Sequence, residues 1–310
     1  MVLGVDLHMK TKAFLFIVVA GVLWGTSGIF VHALAPLGFS SAQMTFARGL
    51  VAFLCMAGYA LIFDRSAFRV RPLDLLLYSL IGLALFGTAF CYYTSMQLTS
   101  GATSVILMYT APVYVMLFSI LFLGEKLSSS KLVAVILMLA GCCLVSGVLT
   151  GFQFHFIGIL FGLGSGIAYA SYNIVTKISL RRGGNAVSAT VYGFLSMSAF
   201  AAMFAEPADM AVHIADAPIP SIAWLAGLGV LTSVVPYLIY TMALKDIPAG
   251  TASALSIVEP MSATVFSFVL FDEHLGYGSV IGIVLILVSV FLLGHSEGKT
   301  QQKSELEKSK

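Results

Sequence analysis

The amino-acid sequence predicts an all-α polytopic membrane protein: ten transmembrane helices, folded as two inverted five-helix repeats around a central cavity. Three observations predict it. The composition is too apolar for a water-facing surface, the apolar residues fall in helix-length stretches, and the two halves of the chain match each other. The residues AVILMFWYC make up 59% of the 310-residue chain, and Asp, Glu, Lys and Arg only 10%. A soluble domain carries roughly 25% charged residues. Mean hydropathy is +0.99. Charge this low also excludes nucleic-acid binding as a main task.

The apolar stretches run 12–33, 42–63, 73–96, 101–123, 132–149, 157–177, 187–205, 222–244, 250–271 and 277–293. Each holds about 17–24 residues, enough to cross a hydrocarbon core as a helix. None alternates polar and apolar residues as a barrel strand does. Connections are short, so neighbouring helices run antiparallel. The first stretch is too long for the apolar region of a signal peptide and is read as retained. The tail 295–310 is polar and rich in Lys and Glu, so it is expected to be disordered.

Orientation follows from the basic residues. With the N-terminus cytoplasmic, fifteen of the sixteen Lys and Arg residues lie inside and none in an outer loop. They are Lys10, Lys12, Arg65, Arg69, Arg71, Lys126, Lys131, Lys177, Arg181, Arg182, Lys245 and the four tail lysines. The outer connections carry Glu206, Asp209, Asp216, Asp272 and Glu273. The expectation is a multi-pass protein of the cytoplasmic membrane with both termini in the cytoplasm.

The chain also repeats itself. A shift of 148 residues pairs Tyr92 with Tyr240, Thr103 with Thr251, Leu107 with Leu255, Pro112 with Pro260, Glu125 with Glu273 and Leu127 with Leu275. A shift of 145 pairs Gly21 with Gly166, Trp24 with Tyr169 and Ile29 with Ile174. The units are 12–149 and 157–294. Each has an odd number of crossings, so the copies lie in opposite orientations, the plan of secondary transporters with a site near the midplane.

At this point the sequence resembles the drug/metabolite transporter superfamily, in its ten-helix EamA-type branch. The resemblance is carried by Trp24-Gly25-Thr26-Ser27, by Arg48, by Ala111-Pro112 through Gly124-Glu125, and by Glu259-Pro260 through Glu273. It covers about residues 12–294. The resemblance implies a basket in which the first, third, fourth, sixth, eighth and ninth helices line a cavity, with the fifth and tenth outside. It also implies a small metabolite as cargo without naming it, and an Arg in the second helix common to relatives of varied cargo.

Two charges lie well inside the membrane, Arg48 and Glu259. Counted from the ends of their stretches at 1.5 Å per residue, they differ in depth by roughly 7 Å. An unpaired charge there costs at least about 2.5–3.5 kcal/mol, so an ion pair is the economical reading. Glu259 is the candidate titratable group or substrate anchor, and Arg48 the candidate structural partner. Pro112 and Pro260 each remove an intrahelical bond at matched positions, freeing the carbonyls of Met108 and Ser256. Such backbone is tolerated against protein or a wet cavity, so these prolines, with Pro236, are candidate gating kinks. Ser165, Tyr169, Tyr172, Asn173 and Thr176 share one helix face, with a packing strip at Gly158, Gly162 and Gly166. Candidate substrate-binding residues are Glu259, Trp24, Tyr92, Tyr109, Thr110, Tyr169, Tyr172, Asn173, Tyr240 and Ser256. Trp224 and Tyr277 read as interfacial anchors.

Other chemistry is disfavoured. Cys55, Cys91, Cys142 and Cys143 have no CxxC spacing and read as small buried hydrophobes. No metal or cofactor is expected, because no HExxH-type ligand set is present. Gly164-Ser165-Gly166 has no histidine at matching depth to activate the serine, so an enzyme is not expected. No P-loop is present, so ATP is not the direct energy source. The expected function is secondary transport of a small organic metabolite by alternating access, with an amino acid or related compound as cargo and export as the direction. The alternatives are an importer or a channel-like facilitator. The expected partners are that solute and the lipid bilayer, with protons or the solute's own gradient as the driving force, in a monomer or weak dimer.

The orientation is directly testable. Cysteines introduced at Ser40 or Asp216 of intact cells should react with a membrane-impermeant thiol reagent, and one at Ser129 should not. The reverse pattern would overturn the basic-residue argument.

Overall fold

The computed structural model describes residues 2–125, 128–148, 155–271 and 276–308, with side chains for 11–100, 103–125, 128–148, 155–270 and 276–293. Lys126, Leu127, Asp272, Glu273 and Leu275 lie outside the described residues. No strand occurs among the described residues. The helices in chain order are α1 (Val2–Gly25), α2 (Ser27–Leu34), α3 (Ser41–Phe63), α4 (Pro72–Leu98), α5 (Gly101–Met108), α6 (Ala111–Phe118), α7 (Ser129–Val145) and α8 (Phe156–Arg181). They continue as α9 (Ala186–Ala202), α10 (Pro207–Asp216), α11 (Pro218–Gly229), α12 (Val235–Ala243), α13 (Ala249–Leu255), α14 (Val258–Phe271) and α15 (Tyr277–Lys308).

Helix starts are written in the sequence. Ser40 accepts from the Gln43 backbone at 3.2 Å while the Gln43 side chain accepts from Ser40 N–H at 2.9 Å, a reciprocal cap on α3. Ser100, Ser128 and Asn185 cap α5, α7 and α9 in the same sense, and His155 Nδ1 accepts from Gly158 at the start of α8.

Among the described residues, seven helical runs are long and apolar enough to cross a membrane, among them Thr11–Leu37, Pro72–Leu98 and Phe156–Arg181. α9 and α10 together make an eighth only if their 95° bend is counted within one span. Ser129–Val145 and Tyr277–Leu293 are apolar but shorter. Seventeen residues of helix reach about 26 Å, a little under the roughly 30 Å hydrocarbon core. Two further expectations change. The connection after 205 is itself helical, as α10. The tail, expected to be disordered, continues α15 to Lys308, because Glu, Lys and Gln are good helix formers even without a core to pack on.

α4 lies along α8, α9 packs against both α3 and α4, α1 against α12 and α14, and α7 against α15. The glycine strip acts as the sequence predicts. A Cβ at Gly162 would sit 2.5 Å from Leu107 Cδ1 and 2.6 Å from Leu107 Cβ, so α8 touches α5 backbone-close. Of the cysteines only Cys142 is fully buried. Cys55 is exposed, which corrects the expectation of a buried set: in an apolar solvent a thiol on the outer face of α3 needs no core.

At one end of the bundle, Asn185 donates to Asp64 at 2.8 Å and Ser188 to the Ala67 carbonyl at 2.8 Å, pinning α9 to the turn after α3. The Ser66 hydroxyl and then the Asn185 amide hold the Asp64 carboxyl below the usual carboxylate range. At the opposite end Gln43 donates to Asp209 at 2.9 Å, tying α3 to α10.

The close α8–α5 approach predicts that Gly162→Ala destabilises the protein by about 1–3 kcal/mol through overpacking. Gly58→Ala, where a Cβ meets nothing within 4 Å, should be neutral. Thermal unfolding in detergent compares the two, and equal melting temperatures would contradict the packing argument.

Candidate functional site

Four membrane-spanning runs are broken. α1 stops at Gly25 and α2 resumes at Ser27, α5 gives way to α6 across Tyr109–Thr110, and α13 to α14 across Ser256–Ile257. In these three a hydroxyl turns back onto the carbonyl three residues earlier: Thr26 to Leu23 at 2.6 Å, Thr110 to Leu107 at 2.6 Å, Ser256 to Ser253 at 2.7 Å. That side-chain bond competes with the helical one and loosens the turn. In the second and third, Pro112 and Pro260 follow and withhold a backbone donor. In the fourth, α11 widens over Val230–Val234 into a turn closed by Val235 N–H on the Val230 carbonyl, just before Pro236.

The breaks surround a cavity of about 490 Å³. Each contributes to its wall: Trp24 and Ser27 from the first, Tyr109 from the second, Ser256 and Glu259 from the third, Thr232 from the fourth. Tyr92 and Tyr93 of α4, Tyr169 of α8, Arg48 of α3 and Pro260 complete most of the polar and aromatic surface. Trp24 packs edge-on against Tyr237 at 5.0 Å. Gly25 permits this approach: a Cβ there would lie 2.7 Å from Ser262 Cβ and 3.0 Å from the Glu259 carbonyl.

Arg48 and Glu259 share the cavity but make no ion pair within 4.0 Å. Arg48 instead donates from Nε to Ser233 Oγ at 3.0 Å and from Nη2 to the Thr232 carbonyl at 3.2 Å. Thr232 is four residues before Pro236, so its carbonyl is the one that proline leaves without its usual helical donor. The broken helix, not the acid, holds the guanidinium. Glu259 is left facing the cavity. Trp24 Nε1, Tyr109 OH and Tyr169 OH are buried, Tyr109 beside Glu259 and Tyr169 beside Ser256 and Tyr240, and none makes a hydrogen bond of good geometry.

Several candidate residues lie elsewhere. Tyr172, Asn173, Tyr240 and Thr110 are not on the cavity wall. Tyr240 OH donates to Asn173 Oδ1 at 2.5 Å, Asn173 Nδ2 to the Tyr169 carbonyl at 2.9 Å, and Tyr172 OH lies 3.4 Å from Thr241 Oγ1. Thr110 is spent on Leu107 and packs against Gly166. Pro112 and Pro236 are buried in helix starts beside the breaks. Conversely, Tyr93, Tyr237 and Met197 line the cavity and were not singled out from sequence. Tyr237 did carry a signal, since it follows Pro236. The implied basket is also wider than expected: α3 contributes Arg48, and the end of α7 contributes Val145 and Ser146.

The cavity stops short of one end of the bundle. There Lys177, buried at the end of α8, donates to the carbonyls of Leu244 and of Ile247, the latter at 2.7 Å. Arg181 donates to the Leu123 carbonyl at 2.7 Å and lies 3.6 Å from Glu125. Glu125 accepts from Ala249 N–H at 3.2 Å, at the start of α13. A carboxylate at a helix N-terminus and an ammonium on carbonyls just past a helix C-terminus are both favoured by the helix dipole. Together they join the end of α8 to the ends of α12 and of the α6 run and to the start of α13.

Comparison with known proteins agrees with this architecture. The model of the EamA-like transporter family matches residues 11–147 and again 156–294. An uncharacterized transporter of Archaeoglobus fulgidus is 29% identical over 282 residues, covering 89% of this chain and 94% of its own. The uncharacterized transporter YwfM of Bacillus subtilis is 26% identical over 293 residues, covering 92% and 94%. A crystal structure 19% identical in sequence superposes with a TM-score of 0.75, covering 91% of this chain and 96% of that one.

The Arg48 geometry yields a prediction. Arg48→Ala leaves the Thr232 carbonyl and Ser233 hydroxyl without their partner and should lower stability by about 1–3 kcal/mol. Arg48→Lys, with one donor group in place of a fork, should recover only part of it. Folded yield and melting temperature in detergent report both, and an unperturbed Arg48→Ala would contradict the assignment.

Proposed function

This chain belongs to the EamA-like transporter family, and on that premise we propose that the central cavity carries a small organic metabolite across the membrane by alternating access. The observation that carries the proposal is the wall itself. One carboxylate and one guanidinium already held by the protein stand among Trp24, Tyr92, Tyr93, Tyr109, Tyr169 and Tyr237. A bare inorganic ion would not use the aromatic surface. A compact amphipathic solute with donors and acceptors at one end would use all of it. An amino acid or related compound meets that description, with Glu259 taking an ammonium group and Trp24 and the tyrosines meeting a carboxylate or carbonyl.

In this reading ten crossings form two inverted units of 12–149 and 157–294. The cavity opens toward the outer face and the Lys177–Arg181–Glu125 seal closes the cytoplasmic face. Pro112, Pro236 and Pro260 are the hinges, and export is the favoured direction. A channel is disfavoured because the seal is built from direct hydrogen bonds between helix ends rather than from a ring of ligands around a pore.

Purified protein in liposomes tests the reading. A panel of amino acids and related metabolites should include one that shows saturable counterflow. Glu259→Gln should fold normally but lower that counterflow about tenfold or more and flatten its dependence on pH, because the only intramembrane acid of the cavity is gone. Transport by Glu259→Gln equal to the parent would remove Glu259 from the site. Lys177→Met should break the seal and raise the reactivity of a cysteine at Asn173 toward a thiol reagent applied from the cytoplasmic side. No change there would mean that Lys177 is not part of a gate.

A further inference from the structure

Beside the central cavity lies a second one of about 140 Å³, between the outer thirds of α3 and α4 and the end of α9. Ser41 and Tyr93 line both cavities, so the two adjoin across these residues. The walls differ in chemistry. The central cavity carries a carboxylate, a guanidinium and several tyrosines. In the side cavity the threonine hydroxyls are turned away, Thr45 to the Ser41 carbonyl and Thr94 to the Phe90 carbonyl, each at 2.8 Å. The rest of the wall is mostly apolar, with Gln97 and Ser41 as its polar side chains: Phe86, Phe90 and Phe204 form one cluster with centroids 5.2–5.6 Å apart, beside Ala42 and Ala201. An apolar cavity of about 150 Å³ stays dry and takes a benzene-sized guest.

We propose that this side cavity is a subsite for the apolar end of the transported solute, a phenyl-sized ring or a short alkyl chain, while the polar end lies between Glu259 and Arg48. The inference rests on the proposed function above, and it narrows the cargo to amphipathic compounds. Continuity through Tyr93 and Ser41 argues for the solute as occupant. Phe90 and Phe204 are also partly exposed on the outside of the bundle. A lipid acyl chain is therefore the competing occupant.

The probe is a series with one constant head: alanine, norleucine and phenylalanine, titrated against the protein in nanodiscs and read by thermal shift. In the parent, norleucine and phenylalanine should bind at least about tenfold tighter than alanine, as burial of a few methylene groups requires. Ala42→Phe should fill the side cavity, bring both down to the level of alanine and leave alanine unchanged. Should Ala42→Phe not fold, Phe90→Ala gives the converse: it enlarges the subsite and should move the preference toward 2-aminooctanoate. Equal binding of the three probes by the parent would overturn the subsite while leaving the function intact. So would a tail preference that survives Ala42→Phe. A melting temperature that follows the acyl length of the nanodisc lipid in the parent, but not in Ala42→Phe, would assign the cavity to lipid and overturn it as well. Failure of all three probes to bind would overturn the amino-acid-like head of the proposed function and the subsite with it.

Discussion

A helix surrounded by hydrocarbon must satisfy its own backbone, because no water is there to do so. This chain departs from that rule at Thr26, at Tyr109–Thr110, at Ser256–Ile257 and over Val230–Val234. Each of these four puts a residue on the wall of the same cavity: Ser27, Tyr109, Ser256 and Thr232. The breaks are therefore the feature on which the rest depends. They are tolerable only because the cavity or a neighbouring side chain supplies the missing partners. They also place Trp24, Tyr109, Ser256 and Glu259 where continuous helices would leave backbone. Arg48 illustrates the economy of the arrangement. Its guanidinium needs acceptors inside a membrane, the Thr232 carbonyl lacks a donor because of Pro236, and each answers the other.

The packing around the breaks explains how they stay in register. α8 lies against α4 and α5 at glycine distance, so the polar face that begins at Ser165 is fixed relative to the break at Thr110. α1 reaches α14 through Gly25, so the break at Thr26 sits beside Glu259. Toward the sealed end the same helices are joined by hydrogen bonds between side chains and helix-end backbone, at Lys177 and Glu125. Such contacts are made and lost as units when helix ends separate. The proposed alternation between two open ends needs contacts of this kind.

Much of this was legible in the sequence. Composition and the length of the apolar stretches gave an all-helical membrane protein, and matched prolines at one offset gave the paired breaks in the fourth and ninth stretches. Glu259 was visible as an acid with no apolar excuse. What was not legible required knowing which helices touch. The partner of Arg48 is a carbonyl, and a carbonyl has no letter in the sequence. The expectation of an ion pair with Glu259 failed on that account. Of the polar face of α8, Tyr169, Tyr172 and Asn173 were read as cavity residues, yet Asn173 is paired with Tyr240 and off the cavity wall. A polar face in a membrane must meet protein or water, and sequence does not distinguish the two. Short helices were the other limit. Ser129–Val145 and Tyr277–Leu293 are as apolar as the rest, and only length separates them from the clear spans.

The central claim is that the broken backbones stand in a wet, solute-accessible cavity rather than in a dry core. Amide hydrogen–deuterium exchange in nanodiscs measures this directly. Peptides covering 107–112, 229–235 and 254–260 should exchange much faster than the continuous stretch 283–290 of α15, and a solute that shows counterflow should slow them selectively. Exchange at the breaks as slow as in α15, with no response to solute, would contradict the account.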